Sequence, residues 1–90
     1  MMDISNKIVL NKSIRLKKVD NRLFVANIDT FDIFEYDNIG KEIIQLIKNK
    51  KNIKEIIEII KNEYDIEKKV ILEFLNSLIV NKTILKIKKI

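Results

Sequence analysis

The sequence predicts an α+β fold, a three-stranded antiparallel sheet followed by three helices, and three observations support this. Apolar and polar residues alternate in residues 13–19 and 31–36, the period of strands with one buried face, and residues 22–28 between them are rich in Leu, Phe and Val. Beyond residue 38 apolar residues recur at three- and four-residue spacing, the period of amphipathic helices. The switch falls at Asp37-Asn38, residue types that favour turns and helix starts. Ninety residues hold one domain with a small core, and the element order is winged-helix-like over 1–90.

Residues 1–8 lack a period and read as a flexible arm. In the first strand, Ser13 to Val19, Ile14 and Leu16 take one face and Arg15 and Lys17 the other. Asp20-Asn21 suits a tight hairpin turn, and Arg22 to Ile28 is the return strand, rich in Leu, Phe and Val. Residues 27–30 turn again, and Phe31 to Tyr36 forms the third strand. Asp37 or Asn38 caps a first helix ending near Asn49, with Ile39, Ile43, Leu46 and Ile47 on its apolar stripe. Asn52 precedes Glu55 by three residues, a capping box opening a second helix that buries Ile53, Ile56, Ile57 and Ile60. Asp65 is placed to cap a third helix running to about Val80, and Asn81 suits a left-handed exit. Ile84, Leu85 and Ile87 then pack back as a short tail or strand.

Composition excludes several function classes. The chain has no cysteine and no histidine, so thiolate chemistry, the usual general base and the commonest zinc ligands are missing. A single glycine, Gly40, rules out loops that cradle phosphate with several glycines. No catalytic residue, cofactor or metal is expected. No apolar run is long enough to span a membrane, and no signal-peptide core is present, so a cytoplasmic protein is expected. The net charge of +5 lies wholly in residues 41–90, where twelve lysines face seven acids. This favours an acidic partner, or simply reflects solvated helix faces.

The stretch from Ile33 to Leu85 resembles the PqqD family, also known as RiPP recognition elements, small domains that bind leader peptides of ribosomally made, post-translationally modified peptides. The resemblance lies in an ordered set of patterns: Phe34-Glu35-Tyr36-Asp37-Asn38-Ile39-Gly40 at the strand exit, Asn52-Ile53-Lys54-Glu55-Ile56-Ile57 opening the second helix, Glu63-Tyr64-Asp65-Ile66 closing it, and Phe74-Leu75-Asn76-Ser77-Leu78 in the last helix. The chain departs from the family where Tyr36-Asp37 replaces Leu-Asn and where Asn81-Lys82-Thr83 replaces a customary glycine.

The resemblance implies a non-catalytic protein that binds a precursor leader peptide as an added antiparallel strand. The leader would lie on the third strand, beside the third helix, and be delivered to a separate modifying enzyme such as a radical enzyme, a cyclase or a protease. The peptide-binding residues on the strand are Asp32, Ile33, Phe34, Glu35 and Tyr36. Alternation turns Phe34 and Tyr36 to the core and Ile33 and Glu35 outward. On the third helix, Ile71, Phe74, Leu75 and Leu78 centre the apolar face. Leu72 and Ile79 on its flank are expected as groove wall, with Lys68, Lys69 and Asn76 as polar contacts; the same flank can equally bury against the sheet. Pairing of two copies through the open edge stays open. The rival reading is a winged-helix DNA-binding protein, but the third helix has no arginine, and its lysines are accompanied by Glu67 and Glu73. Neither nucleic acid nor membrane is the expected partner.

Overall fold

The computed structural model describes residues 6–87. Their elements run β1 (Lys7–Leu10), β2 (Ile14–Val19), β3 (Arg22–Asn27), β4 (Ile33–Asp37), α1 (Asn38–Lys48), α2 (Ile53–Tyr64), α3 (Lys68–Val80) and β5 (Ile84–Ile87). Strands β2, β3 and β4 form the expected antiparallel meander, with β4 at one edge. A second, two-stranded sheet pairs β1 with β5, Leu10 opposite Ile84 and Lys7 opposite Ile87. The arm expected over residues 1–8 therefore gives way to a strand at Lys7; residues 1–5 lie outside the described residues. The expected tail at 84–87 is the strand that holds it.

Turn chemistry sets the sheet. Asp20 takes a φ of 56° in the two-residue turn between β2 and β3. The turn into β4 is built on Asn27, which is buried. Its Oδ1 accepts the backbone N–H groups of Asp29 at 2.9 Å and Thr30 at 3.2 Å, an arrangement that Asn supports well. Ser13 ties the same turn to β2: its hydroxyl donates to the Asp29 carboxylate, and its carbonyl accepts the Ile28 N–H at 3.0 Å. Phe31, at a φ of 64°, belongs to this turn, so the third strand of the meander starts at Ile33 and extends to Asp37.

The helices bury the stripes their spacing dictates. Ile43, Ile44 and Ile47 of α1, Ile53, Ile56, Ile57 and Ile60 of α2, and Ile71, Leu75 and Leu78 of α3 close on Leu23 and Val25 of β3. The capping box at Asn52 and Glu55 forms in both directions, at 2.8 and 3.0 Å. Two expected caps differ. Asp65 ends α2, in the left-handed conformation that terminates helices, and α3 starts two residues later at the Glu67 cap. At the exit of α3, Lys82 rather than Asn81 is left-handed, with a φ of 63°. The Lys82 N–H donates to the Ile79 carbonyl and the Thr83 N–H to that of Leu78, which completes a Schellman motif.

Candidate functional site

Strand β4 is paired with β3 on one side only, and among the described residues no strand covers its other edge. The phase of its hydrogen bonds follows from one contact. The Asn27 N–H donates to the Asp32 carbonyl at 2.9 Å, continuing the β3–β4 register by one pair beyond Ala26 and Ile33. Bonded and non-bonded pairs alternate in an antiparallel ladder. The Val25–Phe34 and Leu23–Tyr36 pairs are therefore bonded, and the backbone groups of Ile33 and Glu35 point to the open edge. That edge supplies donors and acceptors that serve any incoming strand.

Side chains on β4 divide as alternation requires. Phe34 and Tyr36 are half-buried and pack against the core, with ring centroids 6.5 Å apart. Ile33 and Glu35 are exposed, Ile33 to 70%. Glu35 meets Arg22 of β3 at 3.3 Å, both side chains well solvated, so this pair contributes little to stability. Asp32 is exposed in the turn that leads into β4.

Tyr36 fixes how α3 sits beside this edge. Its ring makes an edge-to-face contact with Phe74, centroids 5.7 Å apart, and its hydroxyl accepts the Asn81 side-chain amide at 3.2 Å. Tyr36 thus lies along one flank of α3, from Phe74 to Asn81. At about 100° per residue, Val70 and Ser77 share that flank, while Leu72 and Ile79 lie about 160° and 140° round the helix from Phe74. Val70 is 49% exposed; Leu72 and Ile79 are half-buried against the core. Lys68, Lys69 and Asn76 are solvent-exposed and fall nearer Leu72 and Ile79 than Phe74.

The structure therefore brings Phe34 and Tyr36 together with Phe74 and Asn81. It does not bring Lys68, Lys69, Leu72, Asn76 or Ile79 to the flank that Tyr36 touches. Val70, Phe74, Ser77 and Asn81 fall at i, i+4, i+7 and i+11. That stripe was readable in the sequence, but only contact with Tyr36 singles it out.

Gly40, in the first turn of α1, lies beneath these rings. A Cβ there would sit 3.2 Å from Phe74 Cζ and 3.3 Å from Tyr36 Cδ1, tighter than ordinary packing, so the glycine permits the close approach. A separate concavity of about 420 Å³ opens between β1, β5 and the α1–α2 junction, edged by Lys7, Lys48, Lys50 and Lys51 and away from β4. Among the described residues no cluster of acidic side chains could hold a metal ion, and no helix is long and apolar enough to cross a membrane.

Two solved structures have the same fold. One is TbiB1 in complex with the TbiA(beta) leader peptide, 19% identical with a TM-score of 0.79, the match covering 90% of this chain and 99% of that one. The other is a lasso peptide synthetase B1 complexed with the leader peptide, 16% identical with a TM-score of 0.78, covering 88% and 98%. No curated protein matches the sequence. The family model of coenzyme PQQ synthesis protein D (PqqD) matches residues 22–82, well over half of the sequence, and the chain belongs to that family.

Proposed function

We propose that this protein recognises the leader peptide of a ribosomally made, post-translationally modified peptide, adding it as a strand to the open edge of β4. The observation that carries this reading is the pairing of β4 on one side only among the described residues, with the outward backbone groups of Ile33 and Glu35 beside an apolar flank of α3. Family membership and the leader-peptide complexes of the two structural neighbours support it. Main-chain bonds to an edge strand give affinity for any extended peptide, and side-chain pockets give selectivity. Here the pocket is the apolar surface of Phe34, Tyr36, Phe74 and Val70.

The protein acts as a binding subunit, and a separate enzyme modifies the peptide it holds. A DNA-binding role has less support. The exposed cations of α3 are Lys68 and Lys69, without arginine, which is poor equipment for reading bases.

The test uses the leader of a precursor peptide encoded beside this gene, titrated calorimetrically. Val70→Asp places a charge on the flank beside Tyr36 and is expected to weaken binding at least tenfold with the fold retained, a loss of about 1.4 kcal/mol or more. Leu72→Asp, on the far flank, destabilises the domain instead and leaves the affinity of the folded fraction unchanged. A Val70→Asp variant that binds normally while Leu72→Asp abolishes binding in a folded protein would move the groove to the other flank.

A further inference from the structure

The register of β4 specifies the peptide pattern this edge accepts. An antiparallel guest strand makes bonded pairs with Ile33 and Glu35, whose backbone groups point outward, and non-bonded pairs with Phe34 and Tyr36. Directly opposed side chains share one face of a sheet. Guest residues opposite Phe34 and Tyr36 therefore enter the apolar groove, and those opposite Glu35 and Asp37 lie on the outer face beside exposed carboxylates. Arg22 stands on β3 on the same face, opposite Asp37 and 3.3 Å from Glu35; one cation offsets only part of the charge of the two acids.

Resting on the strand-addition reading, we infer that this edge selects a five-residue segment of alternating character: cation, apolar, cation, apolar, apolar, placed opposite Asp37, Tyr36, Glu35, Phe34 and Ile33 in turn. Glu35 and Asp37 are the specificity-determining residues for its charges. The sign of this preference is informative because the protein carries a net charge of +5. Long-range attraction favours acidic peptides, so a preference for lysine at two positions can arise only from the local carboxylates.

Three fluorescein-labelled synthetic peptides with identical neutral flanks test the inference, carrying at their centre Lys-Leu-Lys-Leu-Val, Glu-Leu-Glu-Leu-Val or the permuted Lys-Lys-Leu-Leu-Val. Anisotropy gives the affinities, and amide shifts in NMR spectra give the location. Directly opposed charges attract or repel across a strand pair, so reversing two of them is expected to weaken binding about tenfold. The alternating lysine peptide binds most tightly, the permuted one several-fold more weakly, and Glu35→Lys removes or inverts the preference for lysine over glutamate. Glu35→Gln, which keeps the size of the side chain, reduces the same preference and serves if the lysine variant fails to fold. Equal affinities, or tighter binding of the glutamate peptide to the unaltered protein, overturn the inference while leaving strand addition intact. Absence of any shift at the Ile33 and Glu35 amides with all three peptides overturns strand addition itself.

Discussion

Thr83 is fully buried, and its hydroxyl has no hydrogen-bond partner among the described residues, although its backbone N–H caps α3 by donating to Leu78 at 2.9 Å. An unsatisfied buried polar group destabilises, and an apolar isostere relieves the penalty. Thr83→Val is thus expected to raise the free energy of unfolding by about 1 kcal/mol in urea titrations; a loss of stability would reveal a partner for the hydroxyl. Gly40 shows the opposite constraint, since its lack of a side chain lets Tyr36 and Phe74 close over α1. The single glycine was visible in the sequence as a small residue after the strand exit. Its reason was not, because Phe74 is distant in sequence and meets Gly40 only once α3 is folded back.

At the scale of elements, the helices were the most legible part of the chain. Their apolar periods located the buried isoleucines of α2 without error, and the Asn52–Glu55 capping box formed as its spacing dictates. Ile44 of α1 is buried although it fell off the stripe drawn through Ile39, Ile43, Leu46 and Ile47, because α1 is covered on two sides, by the sheet and by its neighbouring helices. Strand β1 was missed for a different reason. Its four residues have no internal period and are defined by pairing with β5 at the far end of the chain. The flank of α3 that faces β4 was also hidden: a wide apolar arc shows that a helix is covered, not which side of the arc meets a given strand.

Helix ends carry one further consequence. The left-handed position after α3 is held by Lys82, a residue with a side chain, rather than by glycine. A side chain in that conformation is strained by roughly 1–2 kcal/mol, and the extra flexibility glycine gives the unfolded chain offsets part of any relief. Lys82→Gly is expected to stabilise the domain by about 1 kcal/mol, read as a higher Tm. An unchanged or lower Tm would mean that the Schellman geometry at this exit is not under strain. Away from the connection between α1 and α2, the end of α2 is tied to α1: the Tyr64 hydroxyl donates to Glu42 at 2.6 Å, and that bond raises the pKa of Tyr64 above its ordinary value. A raised pKa favours the neutral phenol in the folded state, so this contribution is present below about pH 10 and is lost as the pH rises through the folded value.

Among the described residues, two small sheets and three helices share one core, and that arrangement leaves β4 without a strand on its outer side. Charge over the molecule and charge at the edge differ in sign: the chain is basic overall, whereas the outer face of β4 presents Glu35 and Asp37. Composition reported the first and could not report the second, because opposing charges depend on strand register. The open edge itself was legible from the count of strands, and the register came from a single turn centred on Asn27. Amide hydrogen exchange tests the central claim most directly, measured on the free protein and with bound leader peptide. The Phe34 and Tyr36 amides, bonded to β3, are expected to be protected in both states, and those of Ile33 and Glu35 to become protected only when peptide is added. Protection of Ile33 and Glu35 in the free monomer, unchanged by peptide, would contradict it.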